Sequence, residues 1–142
     1  MTATTIDQVS YTDSKPAVRP LWQVAAVTTV VAGLAAEAFG AAAKALDVPM
    51  VFKGDEIPVG SFIFDTAIWM LVGTIVAAVL IRKASHPART FAILATTATL
   101  VSLALPATAD IPDTATKVVL AASHVIVGAI AIPAMTRRIA RA

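Results

Sequence analysis

Four long apolar runs, roughly Leu21–Ala43, Phe62–Ile81, Thr90–Ala109 and Val118–Met135, alternate with short polar connections. Each run is about the ~20 residues that a helix needs to cross a bilayer. A water-soluble chain of 142 residues has too little interior to hide four such segments. AVILMFWYC residues supply 58% of the sequence and charged residues only 14%, against the ~25% charged residues of an ordinary soluble domain. The pattern predicts an all-α integral membrane protein, a four-helix bundle occupying residues 21–138. Residues 1–20, rich in Thr, Ser and Asp with two prolines, read as a disordered tail with little to bury.

The basic residues set the expected orientation. Lys15 and Arg19 in the tail, Arg82, Lys83 and Arg89 between the second and third runs, and Arg137, Arg138 and Arg141 at the end make eight of the 11 Lys and Arg. By the positive-inside rule both termini are expected in the cytoplasm and the chain in the plasma membrane, with residues 44–61 and 110–117 facing outward. Lys44, Lys53 and Lys117 fall on that outer side, together with Asp47, Asp55, Glu56, Asp110 and Asp113. The competing reading of the first run is a cleaved signal peptide, since AEAFGAAAKA offers small-residue cleavage sites. Against it, the run is longer than a typical apolar core of such a leader and the polar tail before it is long.

Composition also removes function classes. The basic residues cluster at span ends, where topology accounts for them, and supply no basic face for nucleic acid. With no cysteine, disulfides, thiolate metal sites and thiol redox chemistry are excluded. Haem held between His86 and His124 is excluded by distance, because the cytoplasmic loop and the outer half of the fourth run are separated by on the order of 20 Å of membrane. No cofactor is expected. The expected surroundings are the lipid bilayer, with a second copy or the subunits of a larger membrane complex as possible protein partners.

The connections read as turns. Pro49, Gly54, Pro58 and Gly60 break any helix across Leu46–Gly60, and the apolar Val48, Met50, Val51 and Phe52 are expected to fold back onto the bundle or into the headgroup region. In RKASHPAR, Pro87 ends one helix and opens the next. In ADIPDTATK, Asp113 or Thr114 is the expected N-cap of the last helix.

Three ionisable residues lie inside the runs: Glu37, Asp65 and His124. Such groups are costly in a bilayer unless paired, neutral or hydrated, which makes each a candidate site. Counted from Lys44 and Lys117, Glu37 and His124 lie about 10 Å below the outer ends of their helices, with Asp65 shallower. Glu37 shares a stripe with Gly33 and Gly40, and His124 with Ala121, Gly128 and Ala131, and small residues mark helix contacts in membranes. A shared outward-facing cluster follows, ligand-binding in character, with Thr66, Thr96, Thr97, Thr99 and Ser102 able to add hydroxyls. Three alternatives stand beside it: Asp65 as an acid compensating the helix dipole, Glu37 and His124 as hydrogen-bonding groups that fix helix register, and all three as divalent-metal ligands.

The segments GDEIPVGSF, HPARTF, SLALP and SHVIVGAIAIPAMTRR resemble the family catalogued as domain of unknown function 6069, small actinobacterial four-helix membrane proteins. The resemblance spans most of residues 20–138, with Ile57, Pro58, Arg89, Phe91, His124 and Pro133 at its patterned positions. It implies the four-helix membrane fold and brings no activity with it. Two functions are consistent with the residues. One is a non-enzymatic membrane component whose outer pocket binds a proton, a cation or a small amphiphile, or which supports a larger membrane complex. The other is an intramembrane enzyme acting on a lipid or isoprenoid, with Glu37 and His124 as its acid/base pair.

Overall fold

The structure is a computed structural model that describes residues 20–109 and 111–142. Residues 1–19 of the expected tail, with Lys15 and Arg19, and Asp110 lie outside the described residues. The elements run α1 (Leu21–Ala45), β1 (Val51–Phe52), β2 (Asp55–Glu56), α2 (Ser61–Lys83), α3 (Pro87–Ser102), α4 (Ala104–Thr108) and α5 (Thr114–Ile139). Four helical spans, with α3 and α4 counted together, are long and apolar enough to cross a membrane. α1 packs on α2 and α5, and α3 closes the bundle by packing on the same two helices.

The distribution of side chains is inverted relative to a soluble bundle. The buried positions are dominated by small residues, Ala32, Ala36 and Ala77 among the apolar ones and Thr28, Thr66 and Ser123 among the polar ones, while Trp22, Phe64, Trp69, Leu71 and Leu100 stand exposed. In water, that much large apolar surface would drive aggregation. In a bilayer, lipid solvates it, and small residues let the helix backbones approach closely. Several hydroxyls inside the spans are satisfied locally: Thr29, Thr74 and Thr99 donate to the carbonyls of Ala25, Met70 and Ala95, at 2.8, 2.6 and 2.9 Å, whereas Thr136 Oγ1 in α5 is buried without a hydrogen-bond partner. Closing such bonds within the helix removes the cost of a hydroxyl in hydrocarbon.

Two apolar clusters pin the ends. At one end Phe91 of α3 packs with Met70 and Ala77 of α2 and Met135 and Ile139 of α5, backed by Leu80 and Ile81. At the other, Ala43, Met50 and Val119 are buried with Phe39, Val48, Ile57 and Phe62 against them. The expectation that the long loop folds back onto the bundle is met by Met50, which is buried, and in part by Val48 and Val51, which are half-buried, whereas Phe52 is exposed beside Lys53.

Local sequence explains the loop's path. α1 ends in a Schellman arrangement, Val48 N–H donating to Ala43 O and Asp47 N–H to Lys44 O, each at 3.1 Å. Asp47 takes the left-handed position at φ 62°, where Asp is tolerated better than most side chains. The chain then forms a two-residue β-turn hairpin pairing Val51 with Glu56 and Phe52 with Asp55. Lys53 and Gly54 at its tip both have positive φ, 53° and 91°, the signature of the turn that matches strand twist. An ion pair of 3.2 Å from Lys44 to Glu56 ties the hairpin to the end of α1.

The third apolar run is broken at Leu103, which separates α3 from α4. Pro106 has no N–H to give the carbonyl of Ser102, so the regular ladder stops there. Pro133, by contrast, is carried inside an unbroken α5. Asp113 is the N-cap of α5: its Oδ2 accepts from Thr116 N–H at 2.6 Å and from Thr116 Oγ1–H at 2.9 Å. These donors hold its carboxyl below the ordinary value of 3.8, led by the Thr116 N–H. A folded-state value below the unfolded one stabilises the fold above the unfolded value, and the gain is lost as pH falls through the folded one. Replacing Asp113 by Asn, which caps equally well, is expected to flatten the acid limb of the unfolding midpoint measured from pH 6 to pH 3 while changing little at neutral pH.

Candidate functional site

Glu37 sits where α1 meets the start of α2. Four residues before it, a Cβ on Gly33 would lie 3.3 Å from the Ile63 Cα, and three residues after it, one on Gly40 would lie 2.6 Å from Phe62 Cε2. The glycines bring the backbones together, and between them the Glu37 side chain reaches across the seam. Its Oε1 accepts the Gly60 N–H at 2.8 Å. Gly60 is the N-cap of α2, in the left-handed region at φ 88°, with no side chain of its own to cap the helix. The carboxylate of one helix thus caps the next, at the end where the helix dipole favours negative charge.

Glu37 is half-buried, and its Oε2 is buried without a hydrogen-bond partner. The depth of this group follows from how the helices are offset. α1 continues for eight residues past Glu37 to Ala45, so Glu37 lies level with the beginning of α2 rather than a fixed distance below a common helix end.

Asp65 is the fifth residue of α2 and is exposed, among the equally exposed Phe64, Ile68 and Trp69. Among the described residues it has no hydrogen-bond or ion-pair partner. His124 is half-buried on α5, with Nδ1 2.7 Å from Leu120 O. A carbonyl only accepts, so Nδ1 carries the hydrogen and Nε2 is the ring nitrogen left over. Four residues on, a Cβ at Gly128 would meet the Thr99 side chain of α3 at 3.0 Å, which places His124 on the α3 side of α5. The structure therefore puts Glu37 in the α1–α2 seam, His124 toward α3 and Asp65 on the outer surface. No hydrogen bond or ion pair joins any two of them among the described residues.

The hydroxyls divide in the same way. Thr66 is buried, Thr99 and Ser102 bond their own helix, and Thr96 and Thr97 are exposed. Two open grooves mark the surface, one between α3 and α5 running past Thr99, Gly128 and Pro133, the other between α1 and α2 beside Trp22 and Met70. Both are apolar, and neither includes Glu37, Asp65 or His124. Among the described residues no three His, Asp or Glu side chains are grouped so as to hold a metal ion. The sequence marks Gly60, the partner that gives Glu37 its role, only as a helix breaker of the long loop and not as part of the site. The only local signal of that role is a glycine directly before a helix with no Ser, Thr, Asp or Asn in the capping position.

Fold and side-chain distribution define a small polytopic membrane protein built as a four-helix bundle. A sequence profile of a family of unknown function, DUF6069, matches residues 16–141, and the chain belongs to that family. No curated protein and no solved structure matches it.

Proposed function

We propose that the protein is a non-enzymatic component of the cell membrane, with the hairpin end outside and both termini in the cytoplasm, and that Glu37 holds a proton or a small monovalent cation at that outer end. The observation that carries the reading is the Glu37 carboxylate, with one oxygen satisfied by Gly60 N–H and the other buried and unpartnered. A buried polar atom without a partner is costly, and uptake of a proton or cation by Oε2 removes that cost. Proton uptake needs only a single free oxygen, and a monovalent cation held there completes its coordination with water. The concentration of Lys and Arg at the other end supports the orientation.

Glu37→Gln keeps an acceptor for Gly60 N–H and removes the charge. Unfolding midpoints of the wild type and this variant in nanodiscs, measured across pH and across alkali-metal and ammonium salts at constant ionic strength, test the reading. A species that binds only the folded protein raises its stability. The wild-type midpoint is expected to rise with the bound species and the variant's to stay level. Identical responses of the two proteins under every condition would reduce Glu37 to a helix cap alone.

A further inference from the structure

We propose that the basic end of the bundle, at the α2–α3 connection, is a binding site for acidic phospholipids. The described carboxylate side chains are confined to one end of the bundle, which also carries Lys44, Lys53 and Lys117, while the opposite end carries cations only. Glu37, Asp47, Asp55, Glu56, Asp65 and Asp113 all lie toward the hairpin end, while Arg82, Lys83, Arg89, Arg137, Arg138 and Arg141 lie at the ends of α2 and α5 and the start of α3. The apolar cluster of Phe91, Met135 and Ile139 with Leu80 and Ile81 holds these helix ends together. The cations are therefore carried on helix ends that pack together at one end of the bundle. Arg82, Lys83, Arg89, Arg137 and Arg141 have no carboxylate partner among the described residues, and Arg82, Lys83 and Arg89 are exposed.

The helix surface below these cations is apolar and exposed. Along α2, Ile75 and Val79 are exposed and stand in line with Arg82 and Lys83 at helical spacing. On α3, exposed Ile93 follows Arg89 by four residues. Only the Ala84–His86 connection separates the two helices. A phospholipid whose phosphate lies at the level of Arg82, Lys83 and Arg89 meets exposed apolar side chains below it, Ile75 and Val79 on α2 or Ile93 on α3. Arginine forks suit phosphate geometry, and juxtamembrane basic clusters attract acidic lipid. These cations stand where the apolar helix surface ends, at the level of phospholipid headgroups, and so the lipid is the better fit.

The test uses the full-length protein in nanodiscs of phosphatidylcholine with increasing phosphatidylglycerol, following bound lipid by native mass spectrometry and stability by unfolding midpoint. Wild type is expected to retain phosphatidylglycerol in preference to phosphatidylcholine and to melt higher in its presence. R82Q/K83Q/R89Q is expected to lose apparent affinity for it on the order of 100-fold. The charge-preserving R82K/R89K variant should retain most of the preference, and K44Q/K53Q, at the other end, should leave it unchanged. Together these separate lost binding from lost folding. Equal retention of both lipids by wild type, unchanged preference in the triple glutamine variant, or a midpoint raised as much by inorganic phosphate in pure phosphatidylcholine as by phosphatidylglycerol would each overturn the proposal.

Discussion

Replacing Leu71 by Arg is expected to destabilise the membrane-inserted protein by about 3 kcal/mol, or to prevent insertion of α2 altogether. Leu71 stands near the middle of α2 and is 63% exposed, with no packing role that a long side chain would violate. On a soluble protein such a surface exchange changes stability by about 0.5 kcal/mol or less. In hydrocarbon the guanidinium has neither water nor partner, and the full cost of a charge at the helix centre falls on folding. The measurement is the fraction of protein integrated in membranes, alongside the unfolding midpoint of whatever inserts, with Leu71→Ala as the size control. A small effect of Arg equal to that of Ala would mean that this face meets water.

The second large effect is expected at Gly40. Gly40→Ala places a Cβ 2.6 Å from Phe62 Cε2, closer than carbon atoms tolerate, and the aromatic ring must move out of the cluster it forms with Ala43, Met50 and Val119. Overpacking of this kind costs roughly 1–3 kcal/mol. The same seam holds the Glu37–Gly60 hydrogen bond, so that a shift of Phe62 also strains the cap of α2. Gly73→Ala is the matched control: nothing lies within 4 Å of the added Cβ, and the better helix propensity of Ala should leave stability level or raise it by up to about 1 kcal/mol. Combining Gly40→Ala with Phe62→Leu is expected to recover part of the loss, which a double-mutant cycle reads directly. Equal midpoints for Gly40→Ala and Gly73→Ala would refute the close packing of α1 on α2.

These effects arise from features that sequence reveals unevenly. The four spans were legible because a bilayer imposes length and apolarity together, and the helices extend past them by a turn or less at most ends. α2, for instance, begins at Ser61 and ends at Lys83 where the apolar run spans Phe62 to Ile81. The ends differ because helices continue into polar residues once a cap is available, as Thr114–Lys117 do behind Asp113. The break at Leu103 was not legible, since a proline three residues further on is equally compatible with a kink, as Pro133 within α5 illustrates.

Within the candidate site, the stripe of Gly33, Glu37 and Gly40 correctly indicated an inward-facing carboxylate, because small residues and a polar group on one helical face have few other uses in a membrane. The partner was not legible. Helix periodicity gives the direction of a side chain about its own axis, whereas the offset of α1 against α2 is fixed by how Gly40 receives Phe62 and how the hairpin folds over Ala43. That offset brings Glu37 to the backbone of Gly60. For His124, the residues on its stripe mark a helix contact without saying which helix supplies it, and the contact is with α3. Asp65 follows the same logic in reverse: an acid one turn into a helix is compatible with either face, and here it is the exposed one.

The central claim, a bundle whose hairpin and basic ends lie on opposite sides of a membrane, is tested most directly by accessibility labelling. The chain has no cysteine, so single substitutions report cleanly. Lys53→Cys at the hairpin tip and Ser85→Cys in the α2–α3 connection, both at exposed positions, are treated in intact cells with a membrane-impermeant maleimide, then again after lysis. The account predicts that Lys53→Cys is labelled in intact cells and Ser85→Cys only once the membrane is opened. Labelling of both without lysis would contradict the membrane-spanning bundle, and labelling of Ser85→Cys alone would contradict its orientation.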